Sequence, residues 1–434
     1  MRAGDTIVAL SSGGLPSGVA VVRLSGPATA GVVEAILGRL PEPRRLVLAD
    51  VKIGDTILDR GLVTWFPAPR SFTGEDCAEL QVHGSPAGVR AILRTLTAES
   101  GIRLAEAGEF TRRAFENGKL DLTEIEGLGD LLDAETESQR KQALMRASGG
   151  LSAAVTDWRE RLLDLRAEIE ARLDFSDEGD VSAELPASFG ADIATLMGQL
   201  SRALESVTRG RIVREGVRVA LAGAPNAGKS SLVNALARSD VAIVTEEPGT
   251  TRDVREVAID LDGQLLIVVD LAGLRDTDSK AEAEGVRRAR LELSRADLVL
   301  KLEAPDAGLE EEFDVEAPIW RIATKRDLGT PAGTFDLAIS VVTDEGIAAL
   351  TRRLSVFAAE LAGEGEPSLV SRERDRERLA EAVAALEFAI RSLGQPELAA
   401  EQLRIASTEL ERLLGKIDPE MILDRLFSSF CIGK

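Results

Sequence analysis

Histidine and cysteine are scarce in this chain of 434 residues, which contains one histidine, His83, and two cysteines, Cys77 and Cys431. Two thiols cannot build a disulfide framework, and with one imidazole they cannot supply a conventional zinc tetrad. Zinc chemistry and classical Ser-His catalysis are therefore disfavoured. We interpret His83 as structural, in a Gly-flanked turn beside Gly84, with a general base as the alternative. Cys77 is interpreted as a packing residue at the entry to a strand.

Long hydrophobic runs and an excess of positive charge are also missing. The longest apolar runs are strand-sized, whereas a membrane span needs about 20 residues, and residues 1–6 lack the apolar region of a signal peptide. We therefore expect a cytosolic protein. The chain has 52 basic and 73 acidic residues, a net charge of −21. This balance argues against a surface coated for general nucleic-acid binding, so any RNA contact must be local.

A glycine-rich phosphate loop is the most informative motif that is present. Residues 223–230 read G-x-x-x-x-G-K-S between the apolar run 217–222 and a helix-like stretch. In such a loop the backbone N–H groups converge on phosphates, Lys229 supplies a positive charge and the Ser230 hydroxyl can bind Mg²⁺. An accidental glycine-rich turn is the alternative, which the flanking strand and helix patterns oppose. The sequence predicts binding of a nucleoside triphosphate.

Two motifs downstream predict the metal ligands of that site. Asp270-Leu271-Ala272-Gly273 ends an apolar run, where an aspartate reaches the Mg²⁺ shell and a glycine N–H can contact the γ-phosphate. The polar loop Thr250-Thr251-Arg252-Asp253 offers a threonine to complete that shell. We therefore assign Mg²⁺ to Ser230 and Thr251.

A third motif, Thr324-Lys325-Arg326-Asp327, follows a strand-like run and predicts the base. Asp327 can accept two hydrogen bonds from the guanine N1–H and exocyclic amine, which adenine cannot donate. The motif thus favours GTP over ATP. Thr324 stands where asparagine is usual, and Ser340-Val341-Val342 departs from an expected Ser-Ala-Lys at two of three positions.

The pattern of apolar residues divides the chain into four segments. Residues 1–118 have an α+β pattern, 119–210 are helical, 211–358 alternate strand and helix, and 359–434 return to helical spacing. The simplest packing pairs the two helical segments into one discontinuous bundle with the P-loop domain inserted. We predict a multidomain α/β and α protein of this arrangement.

The chain resembles, from end to end, the family of tRNA modification GTPases known as MnmE or TrmE. The matching motifs are residues 5–9, 71–76, 108–110, 119–122, 225–231, 249–253 and 430–434. The resemblance implies a GTPase that acts with a flavin-dependent partner. Together they install an aminomethyl-type (carboxymethylaminomethyl) group at C5 of wobble uridine 34 in certain tRNAs.

The resemblance also implies a homodimer whose N-terminal domain binds a tetrahydrofolate derivative, 5-formyl or methylene, as the one-carbon source. The folate positions carried over by motif are Arg23, Glu79, Lys119 and Lys434. Cations suit the carboxylate tail of a folate, and Glu79 suits the donor edge of the pterin. For each residue, a solvated or ion-paired surface role is the alternative.

For the nucleotide site, the resemblance implies K⁺ bound by Asn226, Thr245, Glu247 and Thr250, and Glu282 as the residue that orients water, since Leu274 cannot. A solvated charged face is the alternative for Glu282. The implied GTP-binding residues are Asn226, Ala227, Gly228, Lys229, Ser230, Ser231, Thr245, Glu246, Glu247, Pro248, Gly249, Thr250, Thr251, Asp270, Leu271, Ala272, Gly273, Thr324, Lys325 and Asp327.

The C-terminal thiol Cys431 belongs beside the folate in this family, where it could act as a nucleophile or redox group, with a buried packing role as the alternative. Two rival functions remain open. A ribosome-assembly GTPase would not need residues 1–118 or the C-terminal tail. An independent folate-dependent one-carbon transferase would not need the GTP site.

Overall fold

The computed structural model describes residues 4–53, 56–174, 185–238, 242–243, 255–271, 287, 289–308, 315–329, 331–363, 365, 367–417, 426–427, 430 and 433. The chain forms two compact units. The first, called the N-terminal unit, comprises Met1–Gly129, Ser152–Arg159 and Ser407–Lys434. The second, called the nucleotide unit, comprises Asp130–Leu151 and Glu160–Ala406.

The N-terminal unit is built on a six-stranded sheet of order β3-β4-β5-β2-β1-β6, in which β1 and β6 are parallel and the other neighbours antiparallel. The strands are β1 (Thr6–Leu10), β2 (Ser17–Ser25), β3 (Val47–Ile53), β4 (Thr56–Phe66), β5 (Cys77–Gly84) and β6 (Ile102–Leu104). In β2 the buried residues Ala20, Val22 and Leu24 alternate with more exposed ones, which is the period of a sheet with one covered face.

Helices α1 (Thr29–Leu37) and α2 (Pro86–Ala98) pack against this sheet. Helix α2 begins where Ser85 caps it, by accepting a hydrogen bond from the Gly88 amide, and Pro86 occupies the first helical position. The buried face of α2, residues Val89, Ile92 and Leu96, joins the sheet core. Helices α3 (Glu109–Glu116) and α4 (Leu122–Leu132) follow. The predicted α+β architecture is confirmed for this part of the chain.

The nucleotide unit contains a seven-stranded sheet of order β13-β12-β11-β7-β10-β9-β8. The strands are β7 (Val217–Ala222), β8 (Ala242–Ile243), β9 (Arg255–Leu261), β10 (Gln264–Asp270), β11 (Leu298–Glu303), β12 (Ile319–Ala323) and β13 (Leu337–Ala338). Strands β10, β7, β11, β12 and β13 are parallel, and β9 is antiparallel to β10. Because the carboxyl ends of parallel strands lie at one edge, the segments that follow β7 and β12 lie there together with Asp270, the last residue of β10.

Helices α9 (Lys229–Ala237) and α10 (Ile347–Ala362) pack against this sheet. The other long helices are α5 (Glu137–Ala147), α6 (Gly150–Asp174), α7 (Phe189–Glu205), α8 (Val207–Glu215), α11 (Glu373–Arg391) and α12 (Pro396–Leu413). Helix α7 packs against α11, and the fully buried pair Arg146–Asp375, at 2.8 Å, ties α5 to α11. Helices that precede and follow the sheet in sequence therefore pack together, which agrees with the predicted pairing of the two helical segments.

A membrane-crossing helix would need a long apolar stretch, and no helix within the described ranges has one.

Candidate nucleotide and folate sites

The phosphate loop joins the end of β7 to the first residue of α9, so its backbone N–H groups lie at a helix N-terminus. Three of its residues have positive φ: Gly223 (147°), Asn226 (66°) and Gly228 (95°). A Cβ atom on Gly223 would lie 2.4 Å from the Leu302 carbonyl oxygen, which requires glycine there. The loop thus turns the backbone in the manner that a phosphate cradle needs.

Lys229 and Ser230 begin α9 beneath this loop. The buried ammonium of Lys229 donates hydrogen bonds to the carbonyl oxygens of Gly223 and of Ala224, the latter at 2.9 Å. The Ser230 hydroxyl donates to Oδ2 of Asp270, the buried last residue of β10, at 2.6 Å. A hydroxyl and a carboxylate oxygen in contact form a hard-oxygen donor set of the kind that Mg²⁺ prefers.

The guanine motif lies at the end of β12. Thr324 is buried, and its hydroxyl donates to the Ala227 carbonyl oxygen of the phosphate loop at 2.6 Å. Lys325 pairs with Asp306 at 2.8 Å, and its hydrogen bond lowers the pKa of that carboxyl. Asp327 is exposed, and its Oδ1 accepts a hydrogen bond of 2.6 Å from the Ser340 hydroxyl. The base loop therefore holds Asp327 through Ser340 although Val341 and Val342 replace the usual residues.

The structure describes some of the other predicted nucleotide-binding residues. Asn226 is exposed, Ala227 and Leu271 are buried, and Ser231 lies on α9. Several predictions lie outside the described residues: Thr245, Glu246, Glu247, Pro248, Gly249, Thr250, Thr251, Ala272, Gly273, Glu282, Cys431 and Lys434. The K⁺ ligands other than Asn226 and the water-orienting Glu282 belong to this second group.

Two of the predicted folate residues are direct neighbours in the N-terminal unit. Arg23 on β2 and Glu79 on β5 are cross-strand partners. The Arg23 Nε and Nη2 atoms donate to Glu79 Oε1 at 3.1 and 2.9 Å, and the side chains remain 24% and 21% exposed. The Arg23 guanidinium also faces the rings of Phe72 and Phe110, 5.5 and 5.8 Å from their centroids. Arg23 is thus held in one orientation at a partly open surface.

Gly433, in the C-terminal segment, contacts the same sheet. Gly433 is buried, and its carbonyl oxygen accepts a hydrogen bond of 2.7 Å from the Ser11 hydroxyl. Gly433 has φ 103°, and a Cβ atom there would lie 2.1 Å from the Leu10 carbonyl oxygen, so glycine is required. Leu10 pairs with Val22, the residue before Arg23. The residue preceding Lys434 is therefore docked beside the strand pair that carries Arg23.

Comparison with known proteins finds two family models and several full-length relatives that match this chain. A family model described as GTP-binding protein TrmE N-terminus matches residues 6–119, and one described as MnmE helical domain matches residues 122–431. A protein named tRNA modification GTPase MnmE from Azorhizobium caulinodans is 50% identical over 100% of both chains. Proteins of the same name from Rhodopseudomonas palustris and Rhizobium meliloti are each 48% identical, over 99% and 100% of both chains.

This chain belongs to the MnmE family of tRNA modification GTPases. The resemblance inferred from the motifs is confirmed. Because both family models match, membership of the MnmE family covers the N-terminal and the helical parts of the chain together.

An ion-pair network explains three motifs by which the sequence resembles the MnmE family. Arg113 pairs with Glu109 at 3.1 Å and with Glu75 at 2.9 Å, while Arg103 pairs with Glu109 and, at 2.7 Å, with Asp5. Burial opposes ionisation of Glu109, yet hydrogen bonds from Arg103, the Glu106 amide and Arg113 hold its pKa below the usual value. Sequence reasoning used residues 5–9, 71–76 and 108–110 as markers and missed that their carboxylates share two arginines.

The isolated histidine and Cys77 have structural positions. His83 lies within strand β5, so its assignment to a Gly-flanked turn is wrong. Its Nδ1 contacts Asp59 Oδ1 at 2.8 Å while 75% of its side chain stays exposed. Cys77 is buried at the first position of β5, which confirms the packing interpretation.

Proposed function

We propose that this GTPase requires Mg²⁺ and K⁺ and acts with a flavin-dependent partner on tRNA. Their product would be an aminomethyl-type (carboxymethylaminomethyl) group at C5 of wobble uridine 34, made with a folate-borne one-carbon unit. Family membership supports the role in tRNA modification. The relatives carry that role in their names, and their full lengths align with this chain.

The hydrogen bond between Ser230 and Asp270 carries the GTPase part of the proposal. It brings one ligand from α9 and one from β10 together at the carboxyl edge of the sheet, beside Lys229. Both side chains would hold Mg²⁺, which supplies charge neutralisation at the phosphates. Lys229 would exchange its hydrogen bonds to the loop carbonyls for the phosphate oxygens, and Thr251 would complete the metal shell.

K⁺ is proposed for the exposed Asn226 together with Thr245, Glu247 and Thr250. Asn226 offers an amide oxygen at the mouth of the phosphate loop, a hard donor suited to an alkali cation. The cation would supply positive charge near the phosphates, in the role that an arginine finger has in other GTPases. Glu282 would orient the attacking water. Cys431 would act beside the folate as a nucleophile or redox group.

The folate part of the proposal rests on Arg23 and Glu79. The pair is preorganised by two strands and two aromatic rings, and it remains partly open to solvent. Arg23 would bind an anionic group of the folate and Glu79 a donor edge, with Lys119 and Lys434 adding positive charge. The buried Gly433 supports this arrangement, since its carbonyl oxygen accepts a hydrogen bond from Ser11, which follows β1 of the same sheet.

We further propose a cytoplasmic homodimer that forms through the N-terminal domain and assembles with the flavin-dependent partner. Each of the two alternative functions would need only one of the two sites. A ribosome-assembly GTPase would not need the folate site, and an independent folate transferase would not need the GTP site. One chain that carries both sites favours coupled tRNA modification.

Mass spectrometry of wobble nucleosides tests this function. In cells that lack the protein, C5-modified wobble uridines should disappear, and expression of the wild-type chain should restore them. Purified protein should hydrolyse GTP in K⁺ and not in Na⁺. Unchanged wobble nucleosides would contradict the tRNA role, and equal rates in K⁺ and Na⁺ would contradict the K⁺ assignment separately.

A further inference from the structure

Two exposed cations of the N-terminal unit, Arg44 and Lys119, contact the backbone of the loop formed by residues 67–70, and Arg70 belongs to that loop. Arg44 Nη2 donates a hydrogen bond to the Arg70 carbonyl oxygen, and Lys119 Nζ donates to the Pro69 carbonyl oxygen at 3.2 Å. Arg44, Arg70 and Lys119 are exposed, and none pairs with a carboxylate in the part of the chain that the structure describes. These three residues are called the cationic patch.

Two carboxylates close in sequence to the cationic patch, Asp76 and Glu42, have other partners. Asp76 Oδ1 accepts a hydrogen bond of 2.8 Å from the Ala68 amide. The adjacent Arg45 is already paired with Glu42 at 2.9 Å. The chain has a net charge of −21, so most of its surface repels a polyanion such as RNA. A local excess of positive charge is therefore where a polyanion would bind. Salt screens this repulsion beyond about 8–10 Å, so a local group of cations can still bind phosphates.

An exposed aromatic ring adjoins the cationic patch. Phe72 lies two residues after Arg70 and is 38% exposed. Its ring also lies against the Arg23 guanidinium, so Phe72 is beside the Arg23–Glu79 pair. Unpaired cations beside an exposed aromatic ring are the combination that binds single-stranded nucleic acid, because the cations contact phosphates and the ring stacks on a base.

We propose that the cationic patch and Phe72 bind a single-stranded loop of RNA. The phosphates would contact Arg44 and Arg70, and one base would stack on Phe72. This inference rests on the proposed function, which makes RNA the substrate. It adds the surface on which the RNA lies, next to the residues proposed to hold the one-carbon donor.

Binding of a labelled anticodon stem-loop RNA to the full-length protein, followed by fluorescence anisotropy over a range of salt concentrations, tests the proposal. The double variant Arg44→Gln/Arg70→Gln should bind about tenfold more weakly. Its plot of log affinity against log salt should be shallower by about 1.4, since each lost single-strand phosphate contact removes about 0.7. Phe72→Leu should also weaken binding about tenfold, with no change in that slope.

The matched control is Arg90→Gln/Arg94→Gln, which removes two exposed arginines from α2 of the same unit. This control should keep the wild-type RNA affinity and slope. A far-UV circular dichroism spectrum and a thermal unfolding curve that match the wild type in both double variants show that each is folded. Lys119 stays unchanged throughout because it is also a proposed folate residue.

The proposal would be overturned if the wild-type protein did not bind the RNA, or if both double variants lost the same RNA affinity. It would also be overturned if Arg44→Gln/Arg70→Gln bound a tetrahydrofolate derivative more weakly and the RNA as well as the wild type does. The last result would assign the patch to the anionic tail of a folate. Failure of the proposed function is a different result, because it appears as unchanged wobble nucleosides or as hydrolysis independent of K⁺.

Discussion

Thr324 and Ala227 are joined by a hydrogen bond of 2.6 Å, in which the Thr324 hydroxyl donates to the Ala227 carbonyl oxygen. Thr324 follows β12 and Ala227 belongs to the phosphate loop, so the bond connects the two parts of the nucleotide site. Asparagine is the usual residue at position 324, and threonine retains a polar hydrogen at this place. The departure seen in the sequence therefore preserves a link between base recognition and phosphate binding.

Removal of this link should weaken nucleotide binding. Thr324→Val keeps the shape of the side chain and leaves the buried Ala227 carbonyl without its donor, which costs about 1–2 kcal/mol. We expect GDP to bind about 5- to 30-fold more weakly in a titration with a fluorescent analogue. Thr324→Ser retains the hydroxyl and should stay near the wild type. Equal affinity in the wild type and the valine variant would refute the role of the bond.

Guanine selectivity should depend on Asp327 more than on Ser340. Asp327→Asn replaces an acceptor by a donor opposite the guanine N–H groups, and we expect a loss of about 1–3 kcal/mol in GTP binding. Ser340→Ala removes only the 2.6 Å hydrogen bond that holds Asp327 and should have a smaller effect. Competition of GTP and ATP measures both. Equal affinity of the wild type for the two nucleotides would contradict the assignment.

The catalytic assignment has a control within the sequence. Glu282→Ala and Asn226→Ala should both slow GTP hydrolysis in K⁺ while GTP still binds, because one removes the proposed water-orienting group and the other a cation ligand. Glu284→Ala removes the same charge two residues away and should hydrolyse GTP at the wild-type rate. Single-turnover hydrolysis distinguishes these outcomes. A matching loss in Glu284→Ala would show that a charged face, and not Glu282 itself, is responsible.

The role of the C-terminal segment in folate binding can be tested by a substitution that adds one methyl group at Gly433. Gly433→Ala places a Cβ atom against the Leu10 carbonyl oxygen and should displace the tail. Binding of a tetrahydrofolate derivative and folate-dependent modification should fall, as they should when residues 431–434 are removed, while GTP binding is retained. Gly365→Ala is the control, since Gly365 has a similar φ of 100° with nothing within 4 Å of the added atom. Unchanged folate affinity in the tail variants would remove the tail from the site.

The Glu109 network predicts a dependence of stability on pH. Since the folded-state pKa of Glu109 lies below its usual 4.5, its ionic contacts stabilise the protein above that pH and are lost as the pH falls through the folded-state value. Glu109→Gln should lower the free energy of unfolding by about 2 kcal/mol at pH 7, a difference that shrinks below pH 4.5.

Denaturant titrations at several pH values measure this difference. Glu116→Gln, an exposed carboxylate on the same helix, should change stability little at any pH. A difference between the wild type and Glu109→Gln that stays constant with pH would assign the loss to packing instead of charge.

Much of the nucleotide site is determined by the sequence alone. The phosphate loop, Asp270 and Asp327 each follow an apolar run, and local patterns of this kind require a strand, a turn and a helix wherever the rest of the chain goes. Because such patterns are local, the amphipathic helices and the buried position of Cys77 in a strand can also be predicted from the sequence. His83 was misplaced because Gly84 suggests a turn, whereas pairing of β5 with β2 and β4 keeps the segment extended.

Contacts between distant segments were decided only by the tertiary structure. Neither the bond from Thr324 to Ala227 nor the pairing of Arg23 with Glu79 is visible in sequence spacing, because each depends on which strands become neighbours. The sharing of Arg103 and Arg113 by three separate motifs is of the same kind. Residue types specify which atoms can donate and accept, and only the folded arrangement of strands determines which of them meet.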